Sequence, residues 1–189
     1  MNKSLQLSLF GLLALVQLAI PGFMIIQQED VCCSGTLYKF ACEPIDPIDH
    51  FRGRYVMVSP KTAQFKVANA TQFSPGEKVF ATVRVDPQGF AVIDRLVKNV
   101  PESGDYFPVR VRWILSDGVR LELPFERYYM KESQAPQAER AYWQAAGVRN
   151  RQPCWIAVKI KNGKTVLDNL YINAMPIREY LEKHPDKKP

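Results

Sequence analysis

Ser59 and Lys61 stand two residues apart in VSPKT, so on an extended strand both side chains leave the same face. A desolvated lysine beside a serine is the nucleophile and base of a Ser/Lys peptidase. Pro60 between them interrupts a regular ladder, and no second segment supplies an evident oxyanion site, so an exposed strand end is the stronger reading. Carboxylates offer a second chemistry. Asp46 and Asp49 beside His50 carry donors for a divalent cation, and Asp46 with Glu126 would form the acid and base of a glycan enzyme if the fold brought them together. Turn-forming aspartates and salt-bridged carboxylates explain the same residues without convergence. With 2 histidines in the chain and no CxxC pair, HExxH helix or Gly-rich phosphate loop, neither a metal nor a cofactor is expected.

The formal net charge of +6 invites a nucleic-acid reading. VRVRW puts Arg110 and Arg112 on one strand face with Trp113 opposite, and Arg149 and Arg151 add to the basic balance. These cations are interspersed with 19 acidic residues, however, and a solvated basic face is the leading interpretation. No nucleic-acid partner is expected; anionic lipid headgroups or envelope polymers are the natural counter-charges for a body outside the cytoplasm.

That placement follows from the start of the chain. Ser4 to Gln28 carries no charge, and its centre, LFGLLALVQLAIPGFMII, is long and apolar enough to cross a bilayer, which takes roughly 20 residues. Leu18 and Gln17 precede Ala19 and the apolar run continues through Ile26, which is poor signal-peptidase chemistry. An uncleaved anchor is therefore favoured over a cleaved signal or a buried helix. The start amine and Lys3 precede the segment while Glu29 and Asp30 follow it, so the body is expected outside the cytoplasm of a single-pass inner-membrane protein, in the periplasm or its equivalent. Gln17, near mid-span, could hydrogen-bond to a neighbouring helix. In such a compartment Cys32, Cys33, Cys42 and Cys154 can oxidise. Adjacent Cys32 and Cys33 would strain a mutual bond, so a link from one of them to Cys42 or Cys154 is the expected pairing; four free thiols are the alternative.

Residues 1–28 thus form the cytoplasmic start and anchor, 29–35 a juxtamembrane linker, 36–175 a β-rich domain, and 176–189 a short helix and charged tail. The domain reads as mainly β, because Val-, Ile-, Phe-, Tyr- and Thr-rich segments alternate with turn clusters. Strands are predicted over 36–41, 54–58, 78–85, 90–97, 106–115, 119–127, 155–161 and 165–172. Asp86-Pro87-Gln88-Gly89, Ser116-Asp117-Gly118 and Asn162-Gly163 are the hairpin turns, the last of type I′. One helix is predicted to run from a Ser133 cap to a left-handed Gly147, with Ala138, Ala141, Tyr142 and Ala145 on the face packed against the sheet. A barrel or sandwich with one packed helix is the expected architecture. The segments at 53–58 and 104–109 look alike, but Gly before an aromatic strand is common and no longer repeat accompanies them.

CEPIDPIDHFRGRYVMVSP combines turn formers with pairable charges immediately before a strand. Together with SGTLYKF, LPFERYYMKE and VKIKNGKTVLDNLYIN it resembles the GDYXXLXY family of membrane-anchored bacterial proteins, in family order along nearly the whole chain. The signature falls on Gly53, Tyr55 and Val58, with Arg54 in place of its Asp, Val58 in place of its Leu and Pro60 in place of its Tyr. Any chemistry of the signature Asp is therefore beyond Arg54. The resemblance implies a single-pass envelope protein working beside a multi-spanning membrane partner.

The motif residues are Asp46, Asp49, Arg52, Gly53 and Tyr55, and the second patch is Glu126, Arg127, Tyr128 and Glu132 with Tyr129. An aromatic pair bordered by charges suits a docking surface. The sequence favours an interaction or assembly component over an enzyme, with a membrane-anchored hydrolase, either a Ser/Lys peptidase or a carboxylate-dependent glycan enzyme, as the alternative.

Overall fold

A computed structural model describes residues 3–43, 55–67, 70–147 and 152–184. Helix α1 (Lys3–Ser34) rises about 48 Å at the usual 1.5 Å per residue and is apolar and long enough to cross a membrane. Beyond it the chain runs through β1 (Thr36–Glu43), β2 (Tyr55–Met57), β3 (Ser59–Pro60), a 3-10 turn, β4 (Gln64–Lys66) and a second 3-10 turn. Then come β5 (Lys78–Val85), β6 (Ala91–Val97), β7 (Tyr106–Leu115), β8 (Gly118–Glu122), β9 (Arg127–Tyr129) and α2 (Ala135–Ala146). The described part closes with β10 (Cys154–Lys161), β11 (Lys164–Ile172), β12 (Met175–Pro176) and α3 (Ile177–Lys183).

The strands form two five-stranded antiparallel sheets, ordered β12-β11-β10-β1-β3 and β4-β8-β7-β5-β6, and a β2-β9 ribbon. The domain is mainly β and barrel-like, as the alternating pattern predicts. Inward residues of both sheets share one core, where Phe40 of β1, Phe107 of β7 and Phe125 pack ring against ring at 4.9 to 6.2 Å between centroids. Helix α2 lays Ala138, Tyr142 and Ala145 on this core, and the Tyr142 hydroxyl donates to the carbonyl of Glu43 at 2.8 Å.

Turn chemistry sets the register. Asn162 and Gly163 both have positive φ, 48° and 76°, as the type I′ turn requires. Asp86 accepts from the N–H groups of Gln88 and Phe90, fixing the β5–β6 turn. Gly118 is demanded by approach, not by φ: a Cβ there would sit 2.1 Å from the carbonyl oxygen of Phe65 on β4.

The β5–β6 and β10–β11 hairpins also share a bulge. Pairing jumps from Thr82↔Arg95 to Val83↔Ile93, leaving Asp94 extra, and from Ala157↔Asn169 to Val158↔Leu167, leaving Asp168 extra. The likeness between 53–58 and 104–109 has no such counterpart, because β2 is a ribbon strand of three residues and β7 a sheet strand of ten.

Three expectations change. The strand predicted over 119–127 is two strands, since residues 123–126 turn, with Glu126 Oε1 accepting from the Leu123 N–H at 3.1 Å. The N-cap of α2 is Gln134, not Ser133: residues 131–134 form a preceding turn in which the Lys131 carbonyl accepts from the N–H groups of Gln134 and Ala135. Gly147 is extended (φ −61°, ψ 160°), not left-handed, because the Gln152 N–H satisfies the Ala145 carbonyl in place of a Schellman turn.

Helix α1 does not stop at the apolar run. It carries through residues 29–34 and is fastened to the domain. Val31 is 1% exposed, the Lys161 ammonium donates to both carboxylate oxygens of Asp30 (2.7 and 2.8 Å) and to Ser34 Oγ, Lys159 donates to the Cys32 carbonyl, and Lys164 to Gln27 Oε1. Lysines at a helix C-terminus meet carbonyls that lack intrahelical donors and the negative end of the helix dipole. Gly35 lets the chain leave the helix close against β10, its N–H donating to the Val31 carbonyl at 2.9 Å.

Candidate functional site

Antiparallel pairing of β2 with β9 brings together the two motifs that stand far apart in the sequence. Tyr55 lies opposite Tyr129, Val56 opposite Tyr128 and Met57 opposite Arg127, and the Val58 N–H donates to the Glu126 carbonyl at 3.0 Å. Because a strand alternates its side chains, the ribbon has two unlike faces. Val56 and Tyr128 are buried, whereas Met57, Arg127 and Tyr129 are exposed and Tyr55 is half-buried.

The outer face is an aromatic and cationic cluster. The rings of Tyr55 and Tyr129 meet edge to face at 5.6 Å, and the Arg127 guanidinium lies 5.3 Å from the centre of the Tyr55 ring, an arrangement that holds three flexible groups in one patch. Tyr129, at 64% exposure, leaves most of its ring to solvent.

The inner face is structural. Tyr128 is 5% exposed and its hydroxyl donates to Asn169 Oδ1 at 3.1 Å, tying β9 to β11. Burial pushes its phenol pKa up. The docking surface proposed on sequence grounds therefore loses Tyr128 to the core. Glu126 is also engaged, by the Leu123 N–H and by Arg112 at 3.8 Å. Glu132 is exposed just beyond β9 and also has an interaction partner. Asp46, Asp49, His50, Arg52, Gly53 and Arg54 lie outside the described residues.

Among the described residues, the other chemical candidates do not assemble into a site. Ser59 Oγ accepts from Arg120 at 3.2 Å, and Lys61 is exposed at the start of a 3-10 turn, so the burial that a lysine base requires is lacking. Arg110 donates to the Gly76 carbonyl, and Arg112 pairs with Glu122 and Glu126. Arg112 is also the extra residue of a bulge between Val111 and Trp113, so Trp113 is exposed beside it, the guanidinium 5.5 Å from the ring, instead of opposite. Among the described residues no group of three or more His, Cys, Asp or Glu is placed to hold a metal.

A cleft that no motif announced opens where β1, β6 and β10 meet the end of α2. Its volume is about 640 Å³, and its lining includes Cys42, Glu43, Lys61, Asp86, Gln152 and Cys154. Only strand register gathers these residues, which are drawn from segments up to 112 positions apart (42 to 154). Cys32 and Cys33 belong instead to the last turns of α1, and all four cysteines are free thiols.

No curated protein and no solved structure gives a significant match to the chain. The match that exists is to a family, and it spans the second half of the apolar helix, the β2–β9 ribbon and the last long hairpin. Matching at residues 17–170, the chain belongs to the GDYXXLXY protein family.

Proposed function

We propose that the chain is a single-pass protein of the cytoplasmic membrane with its β domain outside the cytoplasm, serving as an interaction or assembly component bound to an integral, multi-spanning membrane partner. The carrying observation is a polar notch in the middle of α1. Gln17 is exposed within an apolar helix that the domain leaves uncovered, and Pro21, four residues on, has no N–H to give to the Gln17 carbonyl. Side-chain amide and backbone carbonyl thus need donors and acceptors at a depth where lipid offers neither. A neighbouring transmembrane helix supplies both. The outer face of the β2–β9 ribbon gives the same partner a second contact on the domain, and the Lys3 and Glu29–Asp30 flanks support the orientation.

The test places a photo-crosslinking amino acid at position 13, which lies on the same helical face as Gln17 and leaves the notch intact, in cells that hold the full chain. Crosslinking to a distinct, larger integral membrane protein is expected. Gln17→Leu in that background should lower the yield about threefold to eighteenfold, the range set by intramembrane hydrogen bonds of about 0.6 to 1.7 kcal/mol, without altering insertion. Crosslinks to lipid alone, or to a second copy of this chain, would overturn the reading. A reporter active only outside the cytoplasm, fused after Pro189, should be active; an inactive fusion would overturn the orientation.

A further inference from the structure

The β1–β10 ladder pairs Phe40 with Ile156 and ends at Ala41 with Trp155; continued by one step, the same register sets Cys42 opposite Cys154, and Cys154 lies near enough to act electrostatically on the Cys42 thiol. Phe40 and Cys42 on β1 point into the core, as do Cys154 and Ile156 on β10, so the two thiols leave their strands on the same side. Directly opposed residues of an antiparallel pair have Cα atoms about 4.5 to 5.5 Å apart, within the span of a disulfide. Both cysteines are buried, at 7% and 5% exposure, and both line the cleft. Cys32 and Cys33 cannot substitute for either. They sit in the last turns of α1, and the six residue-to-residue steps along the strand from Thr36 to Cys42 put roughly 20 Å between the helix end and Cys42.

We propose that Cys42 and Cys154 are one redox-sensitive pair, closing to an intramolecular disulfide by exchange with an external disulfide oxidant that reaches them through the cleft. Closure in cells rests on the extracytoplasmic placement proposed above; the pair's competence does not. In the first step the Cys154 sulfur, as thiolate, attacks one sulfur of the oxidant and expels the other as a thiol, leaving a mixed disulfide. The Cys42 sulfur then attacks Cys154 Sγ and expels the second thiol. Two protein thiols and one disulfide become one protein disulfide and two thiols, with two electrons and both thiol protons passing to the oxidant. The two thiols are almost equally shielded from solvent, and Cys154 is the attacking sulfur because its thiolate is the less disfavoured: burial raises its pKa to about 11 and pushes that of Cys42 higher still. The folded, reduced domain therefore oxidises slowly, and closure is fastest while β1 and β10 are still docking. The link would join the strand that follows the anchor to a central strand of the same sheet.

The pair is tested on the full chain in two settings. Purified protein in mild detergent is incubated with oxidised glutathione at a urea concentration that loosens the domain; separately, cells are quenched with acid. In both, free thiols are trapped with a maleimide in dodecyl sulfate, so that burial does not shield them, and peptides are mapped by mass spectrometry with and without reductant. The expected result for the purified protein is one linked peptide pair, Cys42 with Cys154, with Cys32 and Cys33 carrying maleimide, and Cys154→Ser should return Cys42 to the labelled pool. Labelling of both Cys42 and Cys154 after oxidation, or a link from either to Cys32 or Cys33, would overturn the pair. A link that forms in the purified protein but is absent from cells would leave the pair standing and remove the extracytoplasmic placement.

Discussion

Replacing Tyr128 separates the two faces of the β2–β9 ribbon. Its ring is buried and its hydroxyl is one of two donors to Asn169 Oδ1, the other being the Leu170 N–H at 2.9 Å. Tyr128→Phe leaves that acceptor with a partner, so the loss stays near the low end for a buried hydrogen bond, about 0.5 to 1 kcal/mol. Tyr128→Ala removes the ring as well and leaves a cavity, which costs about 3 to 5 kcal/mol for a buried aromatic. At about 2 to 4 °C per kcal/mol for a domain of this size, the midpoint should fall by a few degrees for Phe and by roughly 6 to 20 °C for Ala. Tyr129→Ala, one residue on and 64% exposed, should stay within about 0.5 kcal/mol of the parent. Thermal unfolding of the full chain in mild detergent, followed by tryptophan fluorescence, reads all three. If Tyr128→Ala melts with the parent, or Tyr129→Ala costs as much as Tyr128→Ala, the assignment of the two faces is wrong.

Two further outcomes follow from the same structure. Tyr38 donates to Asp105 at 2.9 Å, and burial first, then that carboxylate, raise its phenol pKa to about 12. An unfolded tyrosine titrates near pH 10, so between about pH 10 and 12 the native state binds more protons than the unfolded one and stability falls as pH rises. After allowance for screening of this half-exposed group the loss is about 1 kcal/mol; Tyr38→Phe should remove that part of the alkaline slope in urea titrations, and an unchanged slope would refute it. Gly35→Ala puts a Cβ 2.5 Å from the Val31 carbonyl and 3.3 Å from that of Ile160, two backbone atoms with little freedom to yield. The helix end should lift from β10, and limited proteolysis should cut between residues 32 and 37 several-fold faster; cleavage at the parent rate would show that the joint absorbs a methyl group.

Local chemistry made much of the fold legible. Asn162-Gly163 and Asp86-Pro87-Gln88-Gly89 announced their hairpins because positive φ and side-chain turns are properties of a few adjacent residues. The Ala138, Tyr142 and Ala145 face of α2 was equally readable from helical spacing. Features set by distant strands were not. The inward turn of Tyr128 depends on β9 pairing with β2 some seventy residues away in sequence, and the bulge at Arg112 that turns Trp113 outward is a property of the β7–β8 register. The cleft is the extreme case, since the opposition of Cys42 and Cys154 exists only once β1 lies on β10. Spacing did bring LPFERYYMKE and GRYVMV forward as separate patches; their meeting required the ribbon.

The fastening of α1 to the sheet has a geometric outcome. A domain on a flexible tether samples a hemisphere above the bilayer, whereas a domain bolted to a rigid mast turns only about the axis of that mast. The six residues from Glu29 to Ser34 add about 9 Å beyond the apolar run, so the base of the domain is held at headgroup height when the run is in the bilayer. Gln17 below and the Tyr55–Tyr129 ribbon above are then locked at one azimuth relative to each other. Whatever grips the helix at Gln17 chooses the compass bearing of the ribbon, and one residue inserted between them within α1 would swing that bearing by about 100°.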